Sequence, residues 1–440
     1  MGPQRHANGE YTAWSIMTLN AMLGNVGLEG GGTGTFTGGS PLVMAYPFDS
    51  TFSNSVTKKI SHFTWLDAIE DYESMGLSEG VRDWDGDGNP IDDARLEVPV
   101  KAIWCYGSNM VINQHAEINN TRRVLEDDST CELIVVIDNH MTASAQMADY
   151  VLPGMSTTEE TDVVGQGLAA DMGYTIVNSQ AINPLYEARG IYDICSELAD
   201  KLGVLDEFTE GKTQKDWVME TLEASRELNP DMPEPSELKD MGVWKKTNPS
   251  RIALQEFRED PEANPLGAPS GLIEIYSQEV RDKSESWTLL EGDRLASIPE
   301  YVSTWEEHNE ARTNDTYPLQ MIGFHFKGRT HSSYGSVAIL KEAHTQVVLI
   351  NPADARARGI ENGDKVEVFN DRGRIQIEAR VTPRILPHVV SVPEGAWYSP
   401  DDDGTDTGGC PNTLTRYRPS ALAKTNPQYT NLVQVQRIES

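Results

Sequence analysis

An α/β chain is expected, with an open parallel sheet in its first half and a closed β-barrel at its end. Two patterns carry this expectation. Between Val100 and Pro153 the sequence alternates strand, helix, strand, helix, strand, the order that builds a parallel sheet through right-handed crossovers. From Tyr317 onward it changes to short strands with period-two alternation and few helices, which suggests compact all-β packing. The 440 residues are enough for two or three domains with cores of their own.

In chain order, Ala13, Ile16, Met17 and Leu23 recur at helical spacing, and Gly24 supplies a stop. The Gly30-Gly31-Gly32-Thr33-Gly34 run is a flexible loop whose backbone N–H groups suit a phosphate or merely turn the chain. Residues 40–98 read as irregular, with a short helix near Trp65 to Tyr72. Within them, Asp83-Trp84-Asp85-Gly86-Asp87-Gly88-Asn89 imitates a calcium loop, but Ala94 stands where the closing bidentate carboxylate belongs, so a solvated acidic loop is the stronger reading.

Lys101 to Tyr106 reads as a strand, Gly107-Ser108-Asn109 as a turn and Ala116 to Leu125 as a helix. Glu132 to Asp138 is almost wholly apolar, as a strand buried on both faces should be. A short helix over 143–148 leads to the strand Tyr150-Val151-Leu152, ended by Pro153. Ligands of such sheets sit beyond the carboxyl ends of the strands, which lines Gly107, Ser108, Asn109, Asp138, Asn139 and His140 along one rim. Asp138 there either accepts hydrogen bonds from a nucleotide or caps its own strand end. Residues 155–300 are expected to be mixed helical segments, clearest at Ile191 to Leu202, with a loop over Asn229 to Pro235.

In the barrel region the strands are Thr345 to Ile350, Lys365 to Asn370, Arg374 to Val381 after the Asp371-Arg372-Gly373 turn, and Val389 to Val392, with a short helix from Asp354 to Arg358.

Composition narrows the function classes. A net charge of −32 argues against nucleic acid, which a general negative field repels. An anionic ligand therefore needs local cations, and Lys327 with Arg329, and Arg416, Arg418 and Lys424, form such groups. Cys105, Cys131, Cys195 and Cys410 lack iron–sulfur or zinc spacing and read as structural. No stretch is apolar enough to span a bilayer, and no signal peptide is visible. Met1 is expected to replace an upstream residue of a longer protein, as in a truncated frame or fragment.

Gly2-Pro3-Gln4-Arg5-His6 at one end, and Gly408 to Thr415 with Asn426-Pro427-Gln428 at the other, are dense in groups that hydrogen-bond a large polar ligand. On these stretches the chain resembles the catalytic subunits of anaerobic dimethyl sulfoxide reductases, over nearly its whole length but only over the C-terminal half of such a subunit. Further matches are Ala148-Asp149-Tyr150-Val151-Leu152-Pro153, Gly323-Phe324-His325, Lys327-Gly328-Arg329-Thr330-His331-Ser332 and Gly395-Ala396-Trp397.

The resemblance implies three parts: 1–98, a remnant of a preceding α/β domain plus a connection; 99–314, a Rossmann-like molybdopterin oxidoreductase domain; and 315–440, a molybdopterin dinucleotide-binding barrel. It implies molybdenum bis(molybdopterin guanine dinucleotide) as cofactor, with an iron–sulfur cluster only in the missing N-terminal part. By resemblance, cofactor contacts fall on Arg5, Gly107, Ser108, Asn109, Ile137, Asp138, Gly323, Lys327, Arg329, His331, Ser332, Trp397, Asn412 and Gln428. Lys327 and Arg329 suit a pyrophosphate, and the Asn and Gln amides suit pterin or guanine edges. His331 is otherwise a hydrogen-bonded loop histidine, and Trp397 a barrel core residue.

The implied activity is oxygen-atom removal from dimethyl sulfoxide or a similar S- or N-oxide. Its implied partners are the missing N-terminal half, an iron–sulfur electron-transfer subunit and a membrane anchor on the exported face of the cytoplasmic membrane. The resemblance implies that the segment carrying the protein ligand to molybdenum, a serine in similar subunits, is expected upstream of these residues, so no residue is assigned to the metal. The alternatives are a related reductase of another substrate, including aromatic dehydroxylation, and a non-catalytic cofactor-binding fragment.

Overall fold

The computed structural model describes residues 2–32, 42–45, 47, 56–165, 173–246 and 252–439. Thr33 and Gly34 of the glycine run lie outside them.

A helix, Gly9–Met22, follows a single 3₁₀ turn, Gly2–Arg5. It buries Gly9 and Tyr11, and leaves Ile16, Met17, Leu19 and Met22 exposed. A two-stranded ribbon, β1 (Lys59–Ile60) with β2 (Val81–Arg82), brackets the short helix Asp67–Glu70. In the expected calcium loop, Asp85 is occupied by its own turn: its carboxylate accepts from the amides of Asp87 and Asn89.

The expected parallel sheet is present, in the order β3 (Ala102–Tyr106), β4 (Leu133–Asp138), β5 (Tyr150–Pro153). The helix Ile118–Leu125 crosses between the first two strands, and a 3₁₀ turn, Ala145–Met147, between the second two. One face carries Ile103, Cys105, Ile134, Val136 and Val151 into a core with Val111, Val124 and Leu125. Strand β4 is buried on both faces, as expected, with Ile134, Val135, Val136 and Ile137 all buried; on the other face the flanking strands β3 and β5 are left open. In register across it stand Trp104, Val135 and Tyr150, with Leu133 and Tyr106 in the rows on either side. Trp104 is 48%, Tyr106 50% and Tyr150 63% exposed, because the single long crossover helix packs on the opposite face, while Val135 and Ile137 of the central strand stay buried between them.

A second sheet, antiparallel and unforeseen in the sequence, joins β6 (Asp162–Val164), β7 (Gly173–Asn178) and β8 (Val243–Lys246). The helices Gln214–Leu228 and Pro235–Met241 pack Val218, Leu222 and Leu238 on it with Val177 and Met232. The loop expected between Asn229 and Pro235 joins these two helices, and Ile191–Leu202 is helical as expected.

Six strands close the C-terminal barrel: β9 (Leu319–Phe324), β10 (Val347–Ile350), β11 (Lys365–Asn370), β12 (Gly373–Val381), β13 (Val389–Pro393) and β14 (Asn431–Arg437), in the order β10-β12-β11-β14-β9-β13. The period-two residues Ile375, Ile377 and Ala379 of β12 face inward with Val366, Val368, Leu319, Met321, Val390 and Val433. Closure leaves no unpaired strand edge in the barrel.

Candidate functional site

Asn113 fastens the parallel-sheet domain to the barrel. Its amide nitrogen donates to the Ala396 carbonyl at 3.0 Å, its amide oxygen accepts from the Tyr398 N–H at 2.7 Å, and its own carbonyl accepts from Asn412 Nδ2 at 2.9 Å. Three bonds from one buried residue fix two barrel loops against the carboxyl rim of the sheet. The N-terminal turn joins the same place, since the Tyr429 N–H donates to the Arg5 carbonyl and the Ala7 N–H to Thr430 Oγ1, both within 2.9 Å.

Between these parts lies a cavity of about 390 Å³. Arg5 lines it from the N-terminal turn, Gly107, Ser108, Asn109 and Gln114 from the sheet rim, and Gly323, His325, His331, Ser332, Glu394, Asn412, Asn426, Gln428 and Tyr429 from the barrel. Of the residues expected at the site, Arg5, Gly107, Ser108, Asn109, Gly323, His331, Ser332, Asn412 and Gln428 are thus brought together. Ile137, Asp138, Lys327, Arg329 and Trp397 do not line this cavity. Ile137 is fully buried in its strand, and Asp138 accepts from the His140 N–H at 3.1 Å at the strand end.

Arg329 is not an exposed loop charge. Its guanidinium donates twice to the Glu394 carbonyl, at 3.0 and 2.9 Å, and once to Gln346 Oε1 at 2.6 Å, and it lies 4.3 Å from the Phe326 ring centroid. Burial lowers its pKa to about 10. Trp397 donates to the Ser332 carbonyl at 2.7 Å and packs against the cluster of Ile112, Tyr398 and Cys410. Cys410 is buried and burial pushes its thiol up, away from reactivity.

Two glycines are required by shape. A Cβ at Gly395, whose φ is +83°, would stand 1.8 Å from the His331 carbonyl oxygen, so that loop crossing admits only glycine. A Cβ at Gly323 would stand 2.6 Å from the Tyr429 ring.

Phe63 lines the cavity and, with Trp65, His115 and Tyr417 behind it, forms an aromatic cluster with contacting centroids 4.7 to 5.3 Å apart. His115 is bonded to the Phe63 carbonyl and to Thr121 Oγ1, each at 2.8 Å, and burial lowers its pKa to about 4, so it is neutral. Asp67 lies beside Tyr417, and burial raises its carboxyl to about 6.

The cavity wall contains unmet hydrogen-bonding capacity. Asn109 and Asn426 are 9% and 6% exposed, and neither Asn109 Nδ2 nor Asn426 Oδ1 has a partner. Each such buried atom costs about 1–3 kcal/mol if left unmet. One is a donor and the other an acceptor, so a ligand with both functions on its edge satisfies them. A pterin or guanine edge has that character, and the neutral amides, hydroxyls and single Arg5 cation of the wall suit a heterocycle carrying a phosphate tail.

The comparisons with known proteins agree with this geometry. Residues 1–201 match the family model for molybdopterin oxidoreductase, and residues 319–432 match the Molydopterin dinucleotide binding domain. The chain belongs to the molybdopterin oxidoreductase family. It is 48% identical over 442 residues to dimethyl sulfoxide reductase DmsA of Escherichia coli (strain K12), covering 99% of this chain and 53% of that protein. It is 32% identical over 461 residues to the dimethyl sulfoxide/trimethylamine N-oxide reductase of Cereibacter sphaeroides, again 53% of whose length it covers. The chain therefore spans about half the length of these relatives, and corresponds to the molybdopterin-binding part of a dimethyl sulfoxide reductase-like catalytic subunit. Acetylene hydratase from Pelobacter acetylenicus shares the fold, with a TM-score of 0.57 and 21% identity over 78% of this chain and 45% of that one. Among the described residues, no helix is long and apolar enough to cross a membrane.

Sequence reasoning missed Asn113 and Glu394. Asn113 acts through contacts roughly 280 to 300 residues away. Glu394 is one of 68 acidic residues, and only its place before Gly395 at the end of β13 sets it apart.

Proposed function

We propose that this chain forms one wall of the binding site for a molybdopterin guanine dinucleotide pair in the catalytic subunit of a dimethyl sulfoxide or related S-/N-oxide reductase. The unpartnered Asn109 donor and Asn426 acceptor, on residues that line one cavity between the sheet rim and the barrel, are the observation that carries this reading. The bound molybdenum centre would supply the oxygen-atom and electron transfer.

The residues of this chain bind and orient. Asn109, Asn412, Asn426 and Gln428 hold heterocycle edges, and Arg5 neutralises phosphate charge from the N-terminal turn. Gly107, with φ of +57° and no atom within 4 Å of its would-be Cβ, turns β3 into the rim and leaves open space there. Asp138 is the proposed guanine reader: a carboxylate accepts from the N1–H and exocyclic amino group of guanine, a donor pair that adenine lacks. In this reading electrons arrive through an iron–sulfur subunit held by a membrane anchor on the exported face, and the remaining half of the subunit supplies the metal's protein ligand. The relatives' names support the substrate class, and their doubled length supports the need for a second half.

The test is nucleotide content. The chain is produced together with its complementary half in a cofactor-synthesising host, and guanine nucleotide released by acid is quantified beside molybdenum. Near-stoichiometric guanine nucleotide that falls at least several-fold on Asn109→Leu and Asn426→Leu is expected. A purified subunit with full cofactor in both variants would refute the assignment. The 440-residue chain alone is expected to show no dimethyl sulfoxide reduction with a reduced dye.

A further inference from the structure

We propose that the cofactor-free chain binds a borderline divalent cation, of the Zn²⁺ or Co²⁺ kind, through His325, His331 and Glu394. The proposal stands on the geometry of these three side chains and does not depend on which dinucleotide the cavity takes.

His325 Nδ1 lies 3.1 Å and His331 Nδ1 3.0 Å from the same atom, Glu394 Oε1. Neither ring N–H is directed at that oxygen, which is buried and has no hydrogen bond. A carboxylate oxygen within 3.1 Å of two imidazole nitrogens, in ion-pair range but without a directed hydrogen bond to either, is placed as one of three donors a shared cation would take. The three donor atoms all lie within 4.8 Å of one another. Donors about 2.1 Å from one tetrahedral ion stand about 3.4 Å apart, so small side-chain rotations complete the site. Among the described residues this is the single cluster of three such groups.

The cluster is held in place from behind. Arg329 binds the Glu394 carbonyl, and Gln428 Nε2 lies 3.3 Å from the other carboxylate oxygen, Oε2, leaving Oε1 to face the histidines. The His331 backbone, at φ of +50°, is pressed against Gly395. The imidazole rings cross at 65° with centroids 5.1 Å apart, which directs them to a shared point instead of stacking them. Both rings are more than half exposed and look into the cavity, so the remaining coordination positions are open to water or to an exchangeable ligand.

Two imidazoles and one carboxylate select the cation class. Nitrogen donors suit zinc, cobalt and nickel, whereas magnesium and calcium prefer all-oxygen shells. A histidine that gives Nδ1 to the ion carries its proton on Nε2, and the Glu394 charge offsets half of the ion's. Because these residues line the cavity, a bound cation and a large heterocycle in the same space exclude each other.

The experiment uses the chelator-stripped 440-residue chain, titrated calorimetrically with Zn²⁺ and followed by visible absorption with Co²⁺, with Mg²⁺ as the counter-probe. One saturable site per chain, with the absorption bands of four- or five-coordinate Co²⁺ and no competition from Mg²⁺, is expected. The double variant His325→Gln with His331→Gln should abolish it, and Glu394→Gln should weaken it by at least roughly tenfold. The exposed histidines can change without loss of fold, so the double variant decides the matter even if Glu394→Gln proves unstable; His344→Gln serves as the unaffected control. No Zn²⁺ binding, or binding that survives the double variant, would overturn the proposal.

Discussion

Arg329 and Lys327 stand two residues apart and were expected to act alike on a pyrophosphate, yet the structure gives them different surroundings. Lys327 is exposed, while Arg329 makes three hydrogen bonds and one aromatic contact to loops at the end of the barrel. Bonds from a charged donor contribute about 1.5–3 kcal/mol each, and the two to one carbonyl are not independent. With about 0.5–1 kcal/mol for the cation–π contact, Arg329→Ala should cost the barrel about 3–4 kcal/mol. At a slope of about 2 kcal/mol per molar urea, the midpoint of the barrel transition falls by roughly 1.5–2 M. Lys327→Ala should move it by no more than about 0.3 M, since an exposed charge contributes little. Urea unfolding of both variants, followed by fluorescence and far-ultraviolet circular dichroism, separates the two roles. Equal midpoints for Arg329→Ala and the parent chain would refute the clamp, and would return Arg329 to the pair awaiting a phosphate.

Asp406 is fully buried, and its carboxylate accepts from the N–H groups of Ser399, Gly408 and Cys410. Asp406→Asn sets an amide donor against one of these donors and should cost about 2–4 kcal/mol, read as a lowered melting temperature. Asp67 and His115, on either side of Tyr417, should give opposite pH slopes. The raised Asp67 carboxyl lets the folded chain hold a proton that the unfolded chain loses above 3.8, so this contribution disappears as pH rises towards 6. The lowered His115 makes its contribution above 6.5 and loses it as pH falls towards 4. Asp67→Asn should leave a chain whose stability rises between pH 4 and 6.5, and His115→Gln one whose stability falls over that range. Each slope should amount to about 1–2 kcal/mol after solvent screening, and parallel profiles for the two variants would contradict the assignment. Asp138→Asn in a subunit assembled with its complementary half should lower bound guanine nucleotide more than it lowers the melting temperature. Unchanged nucleotide would leave Asp138 as the strand-end acceptor for His140.

The periodic parts of the chain were legible before the structure. Strand β11, the hairpin into β12 and the helix Ile191–Leu202 follow directly from alternation and amphipathic spacing, and the barrel follows from their repetition. The β6-β7-β8 sheet was not legible, because β8 lies some 65 residues beyond β7 and carries Lys245 and Lys246, which read as solvated charge. At the cavity, residues in compact motifs such as Gly107-Ser108-Asn109 were found, and Asn113 and Glu394, whose partners are distant or unremarkable in sequence, were not. Arg329 shows a further limit. A guanidinium beside glycine looks the same in sequence whether it awaits a phosphate or is already bonded to a carbonyl.

The partly open face of the parallel sheet sets two surface forces against each other. Trp104, Tyr106 and Tyr150 present an aromatic strip to water, while a net charge of −32 makes every copy of the chain repel the next. Dissolved salt weakens the repulsion by shortening its range to about 8 Å at physiological ionic strength, and does nothing to weaken the attraction between apolar strips. Colloidal behaviour is thereby tied to ionic strength in the direction opposite to that of a protein held together by surface charge pairs: dilute buffer keeps the copies apart, and concentrated sulfate strengthens the attraction between exposed apolar surfaces such as this strip.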